Sequence, residues 1–203
     1  MDIFYDVLYG NFILFAFCAI CLANLFNPFI DIWLGSEYLF PSEIVICIVM
    51  QFFIDGMRQT VLTFKDAMGI FKQDQFKPIC EAIINLGMSI LLTYKFGTIG
   101  IVLGTIISML FSFFVEAIIL FKYGFKQNVK EYLLKTMKHC LIFVFSFLVT
   151  IFITRFLNIN NNILNFSLKC ICTVLIAIIT LLLATFKSNE FKYFKSKIIK
   201  NRM

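Results

Sequence analysis

Six runs of apolar residues, each close to the length that crosses a bilayer, constrain this chain more than any motif. They occupy 12–30, 44–64, 79–94, 99–121, 140–157 and 163–186. At a rise of 1.5 Å per residue, about 20 residues span a hydrocarbon core of about 30 Å. None alternates with the period of two that a barrel strand needs, so each run must satisfy its own backbone as a helix. Charged residues are only 15% of the chain and hydrophobic ones 61%, whereas a soluble domain carries about a quarter charged. The expected fold is an all-α integral membrane protein with six transmembrane helices. The third run is the shortest and the most polar, with Glu81, Asn85 and Ser89 inside it.

Basic residues set the expected orientation. Fourteen of the eighteen lysines and arginines fall in segments 65–78, 122–138 and 187–203. The connections on the other side hold Lys95 and Arg155. This alternation supports six crossings and puts both ends in the cytoplasm. Asp2 and Asp6 stand before the first run without a lysine or arginine, the reverse of a signal peptide. Trp33 and Tyr38 read as an interfacial aromatic anchor in the outer loop.

The expected organisation has four parts. Residues 1–124 form a four-helix part and 125–138 an amphipathic interfacial linker. Residues 139–186 add two helices, and 187–203 are a basic cytoplasmic tail. In the linker, Val129, Leu133 and Met137 recur every four residues beside Tyr132, opposite lysines, which suits a helix lying on the inner leaflet. In the fourth run, Gly100, Gly104 and Ser108 recur in the same way and predict close packing against the third.

Chemistry-bearing patterns are few. The seven cysteines lie in or beside apolar runs, and Cys18 and Cys21 have neither a second pair nor a histidine to complete a metal site. His139 reads as an interfacial residue at a membrane boundary. No P-loop, HExxH or GxSxG is present, so the chain is expected to be neither an enzyme nor a holder of metal or cofactor.

Charges inside the runs carry the functional reading, because each costs at least about 2.5–3.5 kcal/mol at membrane depth. Arg58 lies seven residues from Lys65, roughly 10 Å inside the boundary. Asp55, three residues deeper, can pair with Arg58 on one helix face. Glu81 and Glu116 come to a similar depth in the next two runs, and Glu81 can also pair with Lys77 one turn away. The layer of Arg58, Glu81 and Glu116, with Asp55 above it, implies a cavity open to the cytoplasm. Simple snorkelling accounts for Arg58 alone.

The stretches "NPFIDIWLGSEYL" (27–39), "GMRQTVLTFKDAMGIFKQDQFKPICEAIINLGMSILL" (56–92), "KFGTIGIVLGTIIS" (95–108) and "VEAIILFKYGFKQNVKEYLLK" (115–135) resemble the C-terminal half of Wzx-type polysaccharide flippases. These belong to the multidrug/oligosaccharidyl-lipid/polysaccharide exporter superfamily. The resemblance implies part of a bilobed transporter of twelve to fourteen helices that moves undecaprenyl-diphosphate-linked oligosaccharide outward by alternating access. It implies a partner N-terminal lobe outside these residues, membrane lipids around the helices, and work beside a polysaccharide polymerase machinery for capsule or O-antigen. It assigns substrate binding to Arg58 and Asp55, and gating or ion coupling to Glu81 and Glu116. Two other readings stay open: a lobe of a cation-coupled drug exporter, and an inactive membrane fragment or scaffold.

Overall fold

In the computed structural model, which describes residues 1–157 and 162–186, each of the six apolar runs forms a helix, the fifth ending at Thr154. The helices are α1 (Asp2–Trp33), α2 (Ser42–Ala67), α3 (Lys77–Phe96), α4 (Thr98–Ile119), α5 (Lys130–Thr154) and α6 (Asn162–Thr185). Among the described residues, six helices are long and apolar enough to cross a membrane. The tail 187–203, expected to be basic and cytoplasmic, lies outside the described residues.

Local chemistry sets the boundaries. Gly97, with φ of 58°, closes α3 by donating its N–H to Thr93 O at 2.9 Å, and α4 starts at the next residue. A left-handed Gly there is what lets two helices meet in so short a turn. α4 ends in a π-helical turn, Leu120–Phe125, and Lys126 follows with φ of 54°. The side chain of Asn128 then accepts a hydrogen bond from the Lys130 N–H at 2.9 Å and helps to open α5.

The region expected as a separate linker helix differs. Residues 130–138 are the first turns of α5, which runs unbroken to Thr154. No Gly or Pro interrupts 130–154, so the amphipathic pattern continues directly into the apolar run. Its aromatic residue faces inward: Tyr132 is fully buried beside Phe113 and Phe121, with ring centroids 6.0 and 5.4 Å away.

The helices pack in two units, one of Met1–Leu39 with α5 from Thr136 and α6, the other Phe40–Lys135. This grouping sets α1 with the last two helices rather than with α2–α4. In the first unit, Phe12 stacks on His139 at 4.3 Å, and Thr154 Oγ1 donates to Asn24 Oδ1 at 2.7 Å. The two contacts advance together along both helices, so α1 and α5 run in the same direction. Phe29 meets Phe166 near the start of α6 at 6.3 Å. His139 is buried in helix packing, where its ring fills the space over Phe12.

In the second unit, α4 is central. Gln51 on α2 donates to Val102 O at 3.3 Å. α3 contributes no fully buried residue and docks on α4 through small and polar groups. Lys77, Glu81, Asn85, Ser89 and Thr93 recur every four residues on α3; Gly100, Gly104, Ser108, Ser112 and Glu116 do so on α4. The two stripes meet in one antiparallel register. A methyl group on Gly100 would overlap the backbone of Leu92 and Thr93, and one on Gly104 the backbone of Ser89. One step further, Asn85 Nδ2 donates to Ser108 Oγ at 3.2 Å, and at the far end Lys77 reaches Glu116. The same register sets Ser112 opposite Glu81. The close approach expected from Gly100, Gly104 and Ser108 is thus present, and the stripe extends twice as far as those three residues.

Candidate functional site

The lysine-rich end of this α3–α4 seam is where α2 joins it and where the charges gather. Pro78 in the first turn starts α3 and leaves Lys77 at its head, with Glu81 one turn on. Glu116 sits in the last turn of α4, directly before the π-helical turn, a distortion that recurs at functional positions. Arg58 comes from the buried face of α2, beside Met57 and Val61.

Arg58 meets Glu116 through two parallel bonds, Nε to Oε2 at 3.1 Å and Nη2 to Oε1 at 2.9 Å. Its Nη1 lies 3.6 Å from Glu81 Oε1. Lys77 donates to the same Glu116 Oε1 and lies 3.4 Å from Glu81 Oε2. Glu116 is fully buried, Arg58 and Lys77 nearly so, and the Glu81 side chain is 25% exposed.

Two cations and two carboxylates thus form a neutral quartet across three helices. Pairing is what makes the burial tolerable, since an isolated charge in this surrounding would carry a desolvation cost of several kcal/mol. The fork of the guanidinium also fixes the relative placement of α2 and α4, which a lysine could not do with one point charge.

The expected layer of Arg58, Glu81 and Glu116 is therefore brought together. The three are packed between helices and pair with one another, with the Glu81 side chain 25% exposed. Asp55 differs. It is exposed on α2 and outside the quartet, because a step of three residues turns it off the buried face that carries Arg58. Glu116 and Glu81 take the role expected of Asp55 as the partner that holds Arg58.

Lys77 is the member that sequence reasoning assigned only to Glu81. Its position in the every-fourth-residue stripe of α3, opposite the stripe ending in Glu116, was the available signal. A second ion pair lies beyond the quartet. Lys65 at the end of α2 is buried against Asp74 in the 68–76 connection, while Ile70 N donates to Lys65 O at 3.1 Å. Among the described residues, no three His, Cys, Asp or Glu side chains converge as metal ligands.

Searches of family models, curated proteins and solved structures found nothing that matches this chain. The functional reading rests on the chain's own residues.

Proposed function

We propose that the chain is part of a multi-pass membrane flippase of the Wzx type, which moves a diphosphate-linked oligosaccharide across the bacterial inner membrane. The observation that carries this reading is the bidentate Arg58–Glu116 pair inside a neutral quartet at membrane depth. A carboxylate presents two oxygens to the guanidinium fork, and a phosphate group presents the same spacing. Glu116 thereby occupies the place that a phosphate oxygen pair would take.

Lys77 adds a second cation within reach of the same anion. In the resting arrangement both cations are neutralised, so the headgroup of a lipid-linked substrate competes with Glu116 and Glu81 for them. Displacement frees two carboxylates and loosens the head of α3, which has few other buried contacts. That couples substrate binding to helix movement, the requirement of alternating access. The chemistry is binding and translocation rather than catalysis.

A cation-coupled exporter lobe is the second reading, and the exposed carboxylate of Asp55 on α2 favours it. The two readings separate on Arg58. Surface polymer should be measured in cells whose full-length protein carries Arg58→Ala or Arg58→Lys, at matched expression. Loss with both variants supports phosphate recognition; unchanged polymer with both removes it.

A further inference from the structure

A hydroxyl inside a helix usually turns back to a carbonyl one turn earlier. Along the α3–α4 seam this is the rule: Thr93 Oγ1 donates to Ser89 O at 2.6 Å, Thr105 Oγ1 to Ile101 O at 3.2 Å and Ser108 Oγ to Thr105 O at 2.9 Å. Ser112 behaves otherwise. It is 0% exposed, and its Oγ has no hydrogen-bond partner among the described residues. A buried hydroxyl left unsatisfied lowers stability, so its presence calls for a reason other than packing.

The place of Ser112 supplies one. It lies on the stripe of α4 that faces α3, one turn, or about 6 Å of helix axis, before Glu116. Contacts along the seam pass from backbone at Gly100 and Gly104 to side chains at Asn85 and Ser108, 3.2 Å apart. At the next level Glu81, opposite Ser112, turns to the cations instead, 3.6 Å from Arg58 and 3.4 Å from Lys77. The unbonded hydroxyl therefore borders the quartet on the side of the membrane interior.

We infer that Ser112 Oγ is a third donor for the phosphate that takes Arg58 and Lys77 from Glu116. The inference rests on the reading of the quartet as a phosphate site. The Glu116 carboxylate is planar, and Arg58 and Lys77 occupy both of its oxygens. A tetrahedral phosphate set against the same fork directs further oxygens out of that plane, where a hydroxyl one turn along α4 can donate. Serine hydroxyls join arginine and lysine around phosphate in this way. A third cation at this position would leave the resting quartet with an unmatched buried charge. A neutral hydroxyl adds a bond and keeps the two cations matched, by two carboxylates at rest and by the two charges of a diphosphate diester when it binds.

The test is calorimetric binding of inorganic pyrophosphate and of farnesyl diphosphate to the detergent-purified full-length protein. The parent is compared with Ser112→Ala, Ser112→Thr and Arg58→Ala, and thermal unfolding without either ligand is recorded for each. Ser112→Ala should bind both ligands about tenfold more weakly, the loss of one hydrogen bond to a charged group. Ser112→Thr keeps the hydroxyl and should restore binding toward the parent. Without ligand, Ser112→Ala should unfold at or above the parent temperature, because it removes an unsatisfied polar group. Farnesyl diphosphate should bind more tightly than pyrophosphate, since its prenyl chain adds apolar burial beside the helices.

Ser112→Ala binding as tightly as the parent, with binding lost in Arg58→Ala, would overturn the role of Ser112 and leave the quartet as a phosphate site. A lower unfolding temperature for Ser112→Ala, with no rescue of binding by Ser112→Thr, would overturn it in favour of a packing role. Binding that is absent from the parent, or unchanged in Arg58→Ala, would overturn the phosphate reading itself and the role of Ser112 with it. Equal affinities for the two ligands would assign the site to a free anion and overturn the lipid-linked source.

Discussion

Arg58 and Glu116, 58 residues apart in sequence, are joined by two nearly equal hydrogen bonds of 3.1 and 2.9 Å. Glu116 also accepts from Lys77, so one fully buried carboxylate serves cations from two other helices. These contacts link α2, α3 and α4 through a single side chain, and the order of mutational effects follows from it.

Replacing Glu116 with Gln should be the most damaging change in the quartet. It leaves two buried cations facing one partly exposed carboxylate, a situation that costs about 3–5 kcal/mol when a buried pair is broken. Glu81→Gln should cost less, because its contacts are longer and its side chain is 25% exposed. Thermal unfolding of the detergent-purified protein reads the ranking. A Glu81→Gln protein less stable than Glu116→Gln would contradict it.

Asp55→Asn should leave stability within about 0.5 kcal/mol of the parent, as for substitutions outside packed or paired sites. Asp55 is exposed and does not belong to the quartet. A loss comparable to that of Glu116→Gln would restore Asp55 as the partner that holds Arg58.

The α3–α4 seam should fail on one added side chain. Gly104→Val adds a branched side chain whose first carbon would already overlap the Ser89 backbone, and that backbone cannot yield as a flexible side chain would. A cysteine pair at Asn85 and Ser108, whose side chains meet at 3.2 Å, should oxidise readily in the parent. It should oxidise far more slowly with Gly104→Val. Equal cross-linking would show that the helices do not depend on this close approach.

The buried Lys65–Asp74 pair should hold the 68–76 connection closed. Phe71, Lys72 and Phe76 are exposed on that connection, while Ile70 is buried. Asp74→Ala should raise trypsin cleavage after Lys72, since it leaves Lys65 buried without its carboxylate. Cleavage unchanged from the parent would mean that the turns of 68–76 hold the connection without the pair.

Hydropathy made the six helices legible, and the close packing of the third and fourth followed from Gly100, Gly104 and Ser108. The charge layer of Arg58, Glu81 and Glu116 was legible as well, because polar groups at one depth in successive apolar runs have few ways to be satisfied. Three details were not. Which acid holds Arg58 depends on which face of α2 is buried, and Asp55 is a short step around that face. The Lys77–Glu116 contact needs the antiparallel register of α3 and α4, readable only when both four-residue stripes are laid side by side. The burial of Tyr132 and His139 depends on aromatic packing against Phe113, Phe121 and Phe12, partners that come from distant parts of the chain.

The central claim is that an anionic headgroup takes Arg58 from Glu116. Translocation of a fluorescent undecaprenyl-diphosphate oligosaccharide should be followed in proteoliposomes holding the full-length protein, its Arg58→Lys variant and its Arg58→Ala variant. Arg58→Lys keeps the charge but loses the fork, and should slow translocation about tenfold, the factor that 1.4 kcal/mol of lost hydrogen bonding represents. Arg58→Ala should reduce translocation to the level of protein-free vesicles. Translocation by Arg58→Ala at the parent rate would contradict the claim.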